Sequence, residues 1–342
     1  EASAAVSVTP FTVPGAPTSV TGTPGDGQIS VAFGAPVFDG GSPVTSYEAC
    51  ATPVAPEGGV LGEPVQVCGT SSVAPFSPIV LTGLVNGAAY TVTVFATNAA
   101  GVGPTAAAAG PVTPFGAPSA PSITSVSPGD GSASVAFMPG SDGGSPVVNY
   151  EYSTDGGSSW VPRSPVSTSS PLLISGLSNG TVYQVAVRGV NAAGQGAASN
   201  VVGVTPRTSP SAPSITSVSP GNAGASVVFT APVSDGGAAL SNYEYSVDGG
   251  TTWLPRDPAS TASPLAITGL VNGTAYSVAI RGVNAAGAGA SSNVVSVTPR
   301  TVPGAPTAVG MSAGNSQVSV SWSAPSSDGG AAVSQYRAYV YA

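Results

Sequence analysis

Residues Ser153 to Trp160 read STDGGSSW, and Ser246 to Trp253 read SVDGGTTW. Each octapeptide puts a hydroxyl, a carboxylate and an indole on one short segment. Such a set can offer an acid to a glycosidic oxygen and an aromatic face to a sugar ring. Glycoside hydrolysis asks for more, namely two carboxyl groups facing each other at a defined separation. The chain holds 15 Asp and Glu among 342 residues, and they fall mostly in turns.

The wider inventory closes off other chemistries. Charged residues are 6% of the chain, against roughly 25% in an average soluble domain. There is no His, so no imidazole base, no Ser-His-Asp triad and no His-ligated metal. All seven basic residues are Arg, which removes Schiff-base chemistry and the P-loop lysine. A formal charge of −8 with scattered Arg is unsuited to a run of phosphates, so no nucleic-acid partner is expected. No apolar run approaches about 18 residues, which leaves no candidate for a spanning helix. The chain opens on Glu1 without a leader pattern, which reads as a processed or excerpted sequence. No cofactor and no metal are expected. The two cysteines, Cys50 and Cys68, read as free thiols in a reducing compartment or as one bridge in an oxidising one.

The elements that position these residues emerge when the chain is laid on itself. The segment Gly83 to Gly103, GLVNGAAYTVTVFATNAAGVG, returns from Gly176 and again from Gly269. Tyr90, Tyr183 and Tyr276 are 93 residues apart, which is the length of a domain. Pro17, Pro121, Pro213 and Pro306 each precede an aromatic by 16 residues: Phe33, Phe137, Phe229 and Trp322. Within each repeat the apolar period is two, as in Ile29, Val31 and Phe33 or Tyr183, Val185 and Val187. Such runs between Pro, Gly, Asp and Asn turns predict an antiparallel β-sandwich.

These repeats resemble fibronectin type III domains of the Ala/Gly/Ser/Thr-rich kind found in bacterial secreted and surface proteins. The resemblance rests on the proline-led start, the strand-B aromatic and the strand-C tyrosines Tyr47, Tyr150, Tyr243 and Tyr336. Its most specific part is G-L-x-N-G-x-x-Y-x-V-x-V/I, ending in N-A-A-G. It implies an all-β fold of tandem seven-stranded, immunoglobulin-like sandwiches in an elongated rod, on the order of 100 Å for three modules. Tyr90, Tyr183 and Tyr276 become tyrosine corners, whose hydroxyls bond back to the backbone. The expected organisation is a final strand at 1–12, whole repeats at 13–114, 115–206 and 207–299, and strands A to C of a further repeat at 300–342. That pattern reads as a window cut from a longer array, the other reading being completion of each broken end by another chain.

The octapeptide S-x-D-x-G-x-x-W is the Asp-box of sialidases and related glycan-active propellers. Here it directly follows strand C and reads as the C–C′ hairpin, with D-G-G supplying positive φ. The first repeat has instead CATPVAPEGGVLGEPVQVC, a ten-residue insertion without Trp. Aligning the repeats sets Cys50 beside Ser153 and Cys68 beside Val161, on opposite sides of this loop. A disulfide is expected there, with two free thiols as the alternative; together with the resemblance it points to an extracellular location.

The remaining candidates sit on loops and outer faces. Asp39, Asp142, Asp235 and Asp328 lie in B–C loops, and Asn98, Asn191 and Asn284 in F–G loops that face the preceding module. A calcium site there would fall short of its usual six to eight oxygens, so turn chemistry across the junction is expected. Arg188 and Arg281 precede Gly without the acid of an integrin-binding Arg-Gly-Asp. Glu151 and Glu244 should pair with Arg188 and Arg281 across strands, with Trp160 and Trp253 stacked on the guanidinium planes or exposed as a sugar platform. Asn179-Gly-Thr and Asn272-Gly-Thr match the N-glycosylation acceptor, and Ser164–Pro171 and Asp257–Pro264 are tracts suited to O-linked sugars.

The function that follows is a non-catalytic extracellular fibre, stalk or adhesin shaft, with other copies or cell-surface components as partners and a glycan as a possible contact. Spacer repeats of a secreted polysaccharide-degrading enzyme, or a phage tail module, are the alternatives.

Overall fold

The computed structural model describes residues 9–55, 65–74 and 76–341. The first repeat has β1 (Thr18–Gly25), β2 (Gln28–Gly34), β3 (Ser46–Pro53), β4 (Val67–Ser71), β5 (Ile79–Thr82), β6 (Tyr90–Asn98), β7 (Gly101–Val102) and β8 (Ala106–Ala107). In the second follow β9 (Ser122–Gly129), β10 (Ser132–Met138), β11 (Asn149–Ser153), β12 (Val161–Pro162), β13 (Leu172–Ser175), β14 (Tyr183–Asn191), β15 (Gly194–Gln195) and β16 (Val202–Val204). The third has β17 (Ser214–Gly221), β18 (Gly224–Thr230), β19 (Asn242–Ser246), β20 (Leu254–Pro255), β21 (Leu265–Thr268), β22 (Tyr276–Asn284), β23 (Gly287–Ala288) and β24 (Val295–Val297). Last come β25 (Thr307–Gly314) and β26 (Gln317–Ser323). Among the described residues no helix is long and apolar enough to cross a membrane.

Each whole repeat has two antiparallel sheets. In the first, β1-β2-β5 form one, and β4-β3-β6-β7 with β8 on β6 form the other. In family letters these are A-B-E and C′-C-F-G. The alternation read from the sequence puts Ile29, Val31 and Leu81 of one sheet against Tyr47, Val92 and Val94 of the other, all buried. The third repeat uses Val227, Leu265, Tyr243, Val278 and Ile280 in the same places. The strand-B aromatic meets the strand-C tyrosine in each: Phe33–Tyr47 at 4.9 Å, and Phe137–Tyr150 and Phe229–Tyr243 at 4.6 Å between ring centres.

Contacts divide the chain into two compact units. One is Glu1–Val126, Val135–Leu172 and Tyr183–Gly203; the other is Ser127–Ser134, Leu173–Val182 and Val204–Ala342. The A–B and E–F turns of the second repeat fall in the latter, because they are bonded there to the linker at Pro206 and Arg207.

The ends differ from the sequence reading. Of the expected strand at 1–12, residues 1–8 lie outside the described residues, and Thr9 to Thr12 form no strand. In 300–341 strands A and B form as β25 and β26, but the expected strand C around Tyr336 does not. In the whole repeats that strand is held by the ladder to strand F, as β19 is by β22, and residues 300–341 supply no such ladder. Tyr336 still stacks on Trp322 at 5.2 Å.

Burial raises the phenol pKa of Tyr47, Tyr150 and Tyr243 above the ordinary value of 10.0. Stability from keeping them neutral is present below that value and lost as pH rises through the raised one. In a tyrosinate absorbance titration, the three core phenols should ionise only together with unfolding; their reversible ionisation near pH 10 with the fold intact would count against this packing.

Candidate functional site

The four motif residues, Ser153, Asp155, Gly157 and Trp160, each have a bond in their own hairpin. Ser153, at the end of β11, is buried; its hydroxyl donates to Asp155 Oδ1 at 2.7 Å and accepts from the Gly157 N–H at 2.8 Å. Asp155 then accepts from the Ser159 N–H at 2.9 Å and the Ser159 hydroxyl at 2.5 Å. Gly157 adopts φ 97°, and its carbonyl takes the Trp160 Nε1–H at 3.0 Å. The copy at Ser246, Asp248, Gly250, Thr252 and Trp253 repeats these bonds. Hydrogen bonds from Ser153 and Ser159 hold the Asp155 carboxyl well below the ordinary range, and Thr252 and Ser246 do so for Asp248. A carboxylate held ionised in this way is an acceptor in a turn, and a poor general acid.

Beside the hairpin, Glu151 stands opposite Arg188 in the β11–β14 ladder. The guanidinium donates to Glu151 Oε2 from Nε at 2.7 Å and from Nη2 at 2.6 Å. Trp160 lies 4.3 Å from Arg188 Cζ, ring centre to carbon. Glu244, Arg281 and Trp253 form the same stack. Each indole is half-buried, with one face on the guanidinium and its N–H bonded to the hairpin.

The first repeat replaces this stack with a covalent bond. Cys50 and Cys68 face each other across β3–β4 and form a disulfide with 4.1 Å between Cα atoms. The register corrects the sequence alignment by one residue. Gly69 faces Ala49 as Val161 faces Tyr152, so Cys68 stands where Trp160 does. Phe95 takes the place of Arg188 opposite Glu48. The apex of the inserted loop, residues 56–64, lies outside the described residues. Among the described residues, the only three ligating side chains of His, Cys, Asp or Glu type close enough to share an ion are Glu48, Cys50 and Cys68, and both sulfurs are used in the bridge.

The loop residues gather where one repeat meets the next. Asp39, Asp142, Asp235 and Asp328 each accept from the second glycine of their own D-G-G, at 2.8–2.9 Å. Asn191 Nδ2 donates to the linker carbonyl of Gly116 and to the Asp142 carbonyl. Asn284 does the same with Thr208 and Asp235, and Asn98 with Thr12 and Asp39. Donors aimed inward and carboxylates used as loop caps make these junctions hydrogen-bonded turns.

Tyr90 and Tyr276 open β6 and β22, and their hydroxyls accept the N–H of Val85 and Val271 at 3.0 and 3.1 Å. Tyr183 holds the same place at the start of β14. The acceptor asparagines are engaged: Asn179 Nδ2 donates to Asp130 and Asn272 Nδ2 to Asn222, in turns packed on the next repeat. Sequence reasoning missed Arg163 and Arg256, which donate to the carbonyls of Ser169 and Ala262 and fold the Ser/Thr/Pro tracts onto the sheet. Their only sequence signal is the shared P-R after the Trp.

Fold and loops together define an array of β-sandwiches joined through bonded turns. Residues 116–205 match the fibronectin type III domain family, and the first and third repeats carry the same strands in the same order. The chain is a tandem array of fibronectin type III domains. An alignment of length 251 covers 68% of this chain and 22% of Exoglucanase B of Cellulomonas fimi, at 30% identity. A solved structure of chicken CNTN1 FN1-FN3 domains aligns at 17% identity and TM-score 0.33, over 84% of this chain and 99% of that one.

Breaking the bridge with Cys50→Ser and Cys68→Ser should cost the first repeat about 3 kcal/mol, the order expected for a loop of this size. Denaturant unfolding of that repeat would read it, and an unchanged midpoint would argue against the bridge as a stabilising tie. For Asp248, stability is present above the ordinary carboxyl pKa and lost as pH falls through the lowered one. The carboxyl carbon shift in an NMR titration should therefore remain that of a carboxylate below pH about 3.9. A midpoint at the ordinary value in the folded chain would contradict the hairpin bonds.

Proposed function

We propose that this chain is a non-catalytic, extracellular structural array that keeps parts of a secreted protein at a set spacing. The observation that carries this is the linker. In each of three joints its N–H groups are bonded in succession, one to the repeat before and the next to the repeat after. A slack tether leaves its backbone to water; a bonded one resists bending.

The acidic side chains support the non-catalytic part. Asp155 and Asp248 are used in their own hairpins, Glu151 and Glu244 in ion pairs, and the D-G-G aspartates as loop caps. The disulfide supports an oxidising, extracellular setting. Similarity to Exoglucanase B favours accessory repeats of a secreted polysaccharide-degrading enzyme over a self-assembling fibre, a stalk or a virion part. In that reading the activity belongs to a part of the protein other than these repeats.

Incubation of the purified chain with cellulose, followed by a reducing-end assay and electron microscopy, tests this. The expected outcome is no sugar release and dispersed particles at every concentration. Sugar release would end the non-catalytic reading. Regular filaments would replace the spacer by the fibre.

A further inference from the structure

We infer that each Asp-Gly-Gly loop is a seat for the Asn-Gly E–F turn of the repeat before it, and that facing glycines make the seat selective for that turn. The partner is thus a type III repeat whose E–F turn presents Asn-Gly. This goes beyond the spacer reading, since it holds whether the array separates domains or builds a filament.

The two backbones meet without side chains between them. A Cβ on Gly144 would lie 2.3 Å from Gly87 N and 2.8 Å from Asn86 C. On Gly237 it would lie 2.3 Å from Gly180 N and 2.7 Å from Asn179 C, and on Gly330 2.4 Å from Gly273 N. From the other side, a Cβ on Gly87, Gly180 or Gly273 would meet the Cα of the seat glycine at 3.2–3.3 Å. Atoms do not approach to 2.3 Å, so any larger residue in the seat must push the turn out.

The first glycine of each loop admits the linker. A Cβ on Gly143, Gly236 or Gly329 would lie 2.4, 2.1 or 2.3 Å from the carbonyl oxygen of Gly116, Thr208 or Thr301. Around this contact runs one circuit of bonds, found three times. The Gly87, Gly180 and Gly273 N–H groups donate to Pro114, Pro206 and Pro299 at 2.9 Å. Next, Phe115, Arg207 and Arg300 donate back to the A–B turn at Gly25, Gly129 and Gly221. Gly116, Thr208 and Thr301 then donate forward to Gly143, Gly236 and Gly329 at 2.8 Å. The Asn of the turn fixes its shape: Asn86, Asn179 and Asn272 accept from the A–B turn N–H of Gly27, Gly131 and Ala223. Asn-Gly is thus needed twice, once for its side chain within its own repeat and once for its bareness toward the next.

The test uses the full chain and amide hydrogen exchange. Gly237→Ala places a methyl in the seat; Gly269→Ala is its control, with a like φ of +79° against +84° and nothing within 4 Å of the new Cβ. Gly237→Ala should raise exchange of the Gly180 and Arg207 amides at least tenfold, with the β18–β21 ladder protected as in Gly269→Ala. Equal exchange at Gly180 and Arg207 in the two variants overturns the inference. If Gly237→Ala also opens the third repeat, Gly180→Ala asks the question from the second, with Gly176→Ala as control (φ +77°, nothing within 4 Å). There the Thr208 amide should lose protection only in Gly180→Ala, and equal protection in that pair overturns the inference as well.

Discussion

Phe115 and Gly116, with their counterparts Arg207–Thr208 and Arg300–Thr301, send consecutive N–H groups in opposite directions, one to the turn behind and one to the loop ahead. Much of the chain's composition follows from this arrangement. Backbone groups taken from water must find partners, and with 6% charged residues the partners are mostly other backbone groups and small polar side chains. Two backbones bond this closely only where no Cβ stands between them, so the turns that meet are glycine. Asn and Asp, whose short side chains bond nearby backbone, hold those glycines in place.

The outer face of the C′-C-F sheet shows two solutions to one problem. Strand C′ is two residues long in the second and third repeats and makes few ladder bonds. The Trp160–Arg188–Glu151 stack and its copy hold the hairpin over strand F by a cation–π contact and an ion pair, interactions worth about 1 kcal/mol each when partly exposed. In the first repeat the loop is longer, and Cys68 occupies the Trp position. A covalent tie there closes the loop without relying on a compact hairpin. Phe95 stands where the Arg does, still opposite Glu48, while the Trp that would stack on an Arg there is replaced by Cys68.

The same hairpin separates a motif from its chemistry. The Asp-box residues are all satisfied within eight residues of chain, and the carboxylate is held ionised by its neighbours. What the spacing encodes here is a turn that places an indole on the next strand.

Much of this was legible in the chain. Ile29, Val31 and Phe33 alternate, the Tyr90 motif recurs, and Glu151 and Arg188 fall opposite each other once strands C and F are adjacent. These features are local or repeated, so alternation and turn residues determined an antiparallel β-sandwich by themselves, and the resemblance to the type III family supplied its strand order. Tertiary structure decided the rest. The strand expected at Tyr336 needs a ladder that residues 300–341 do not supply. Whether Cys68 matches Trp160 or Val161 depends on pairing register, which a loop insertion hides from alignment. The glycines in contact, such as Gly87 and Gly144, are 57 residues apart in each copy. Every one of them reads in sequence as an ordinary turn glycine, because what makes it necessary is the backbone of another repeat.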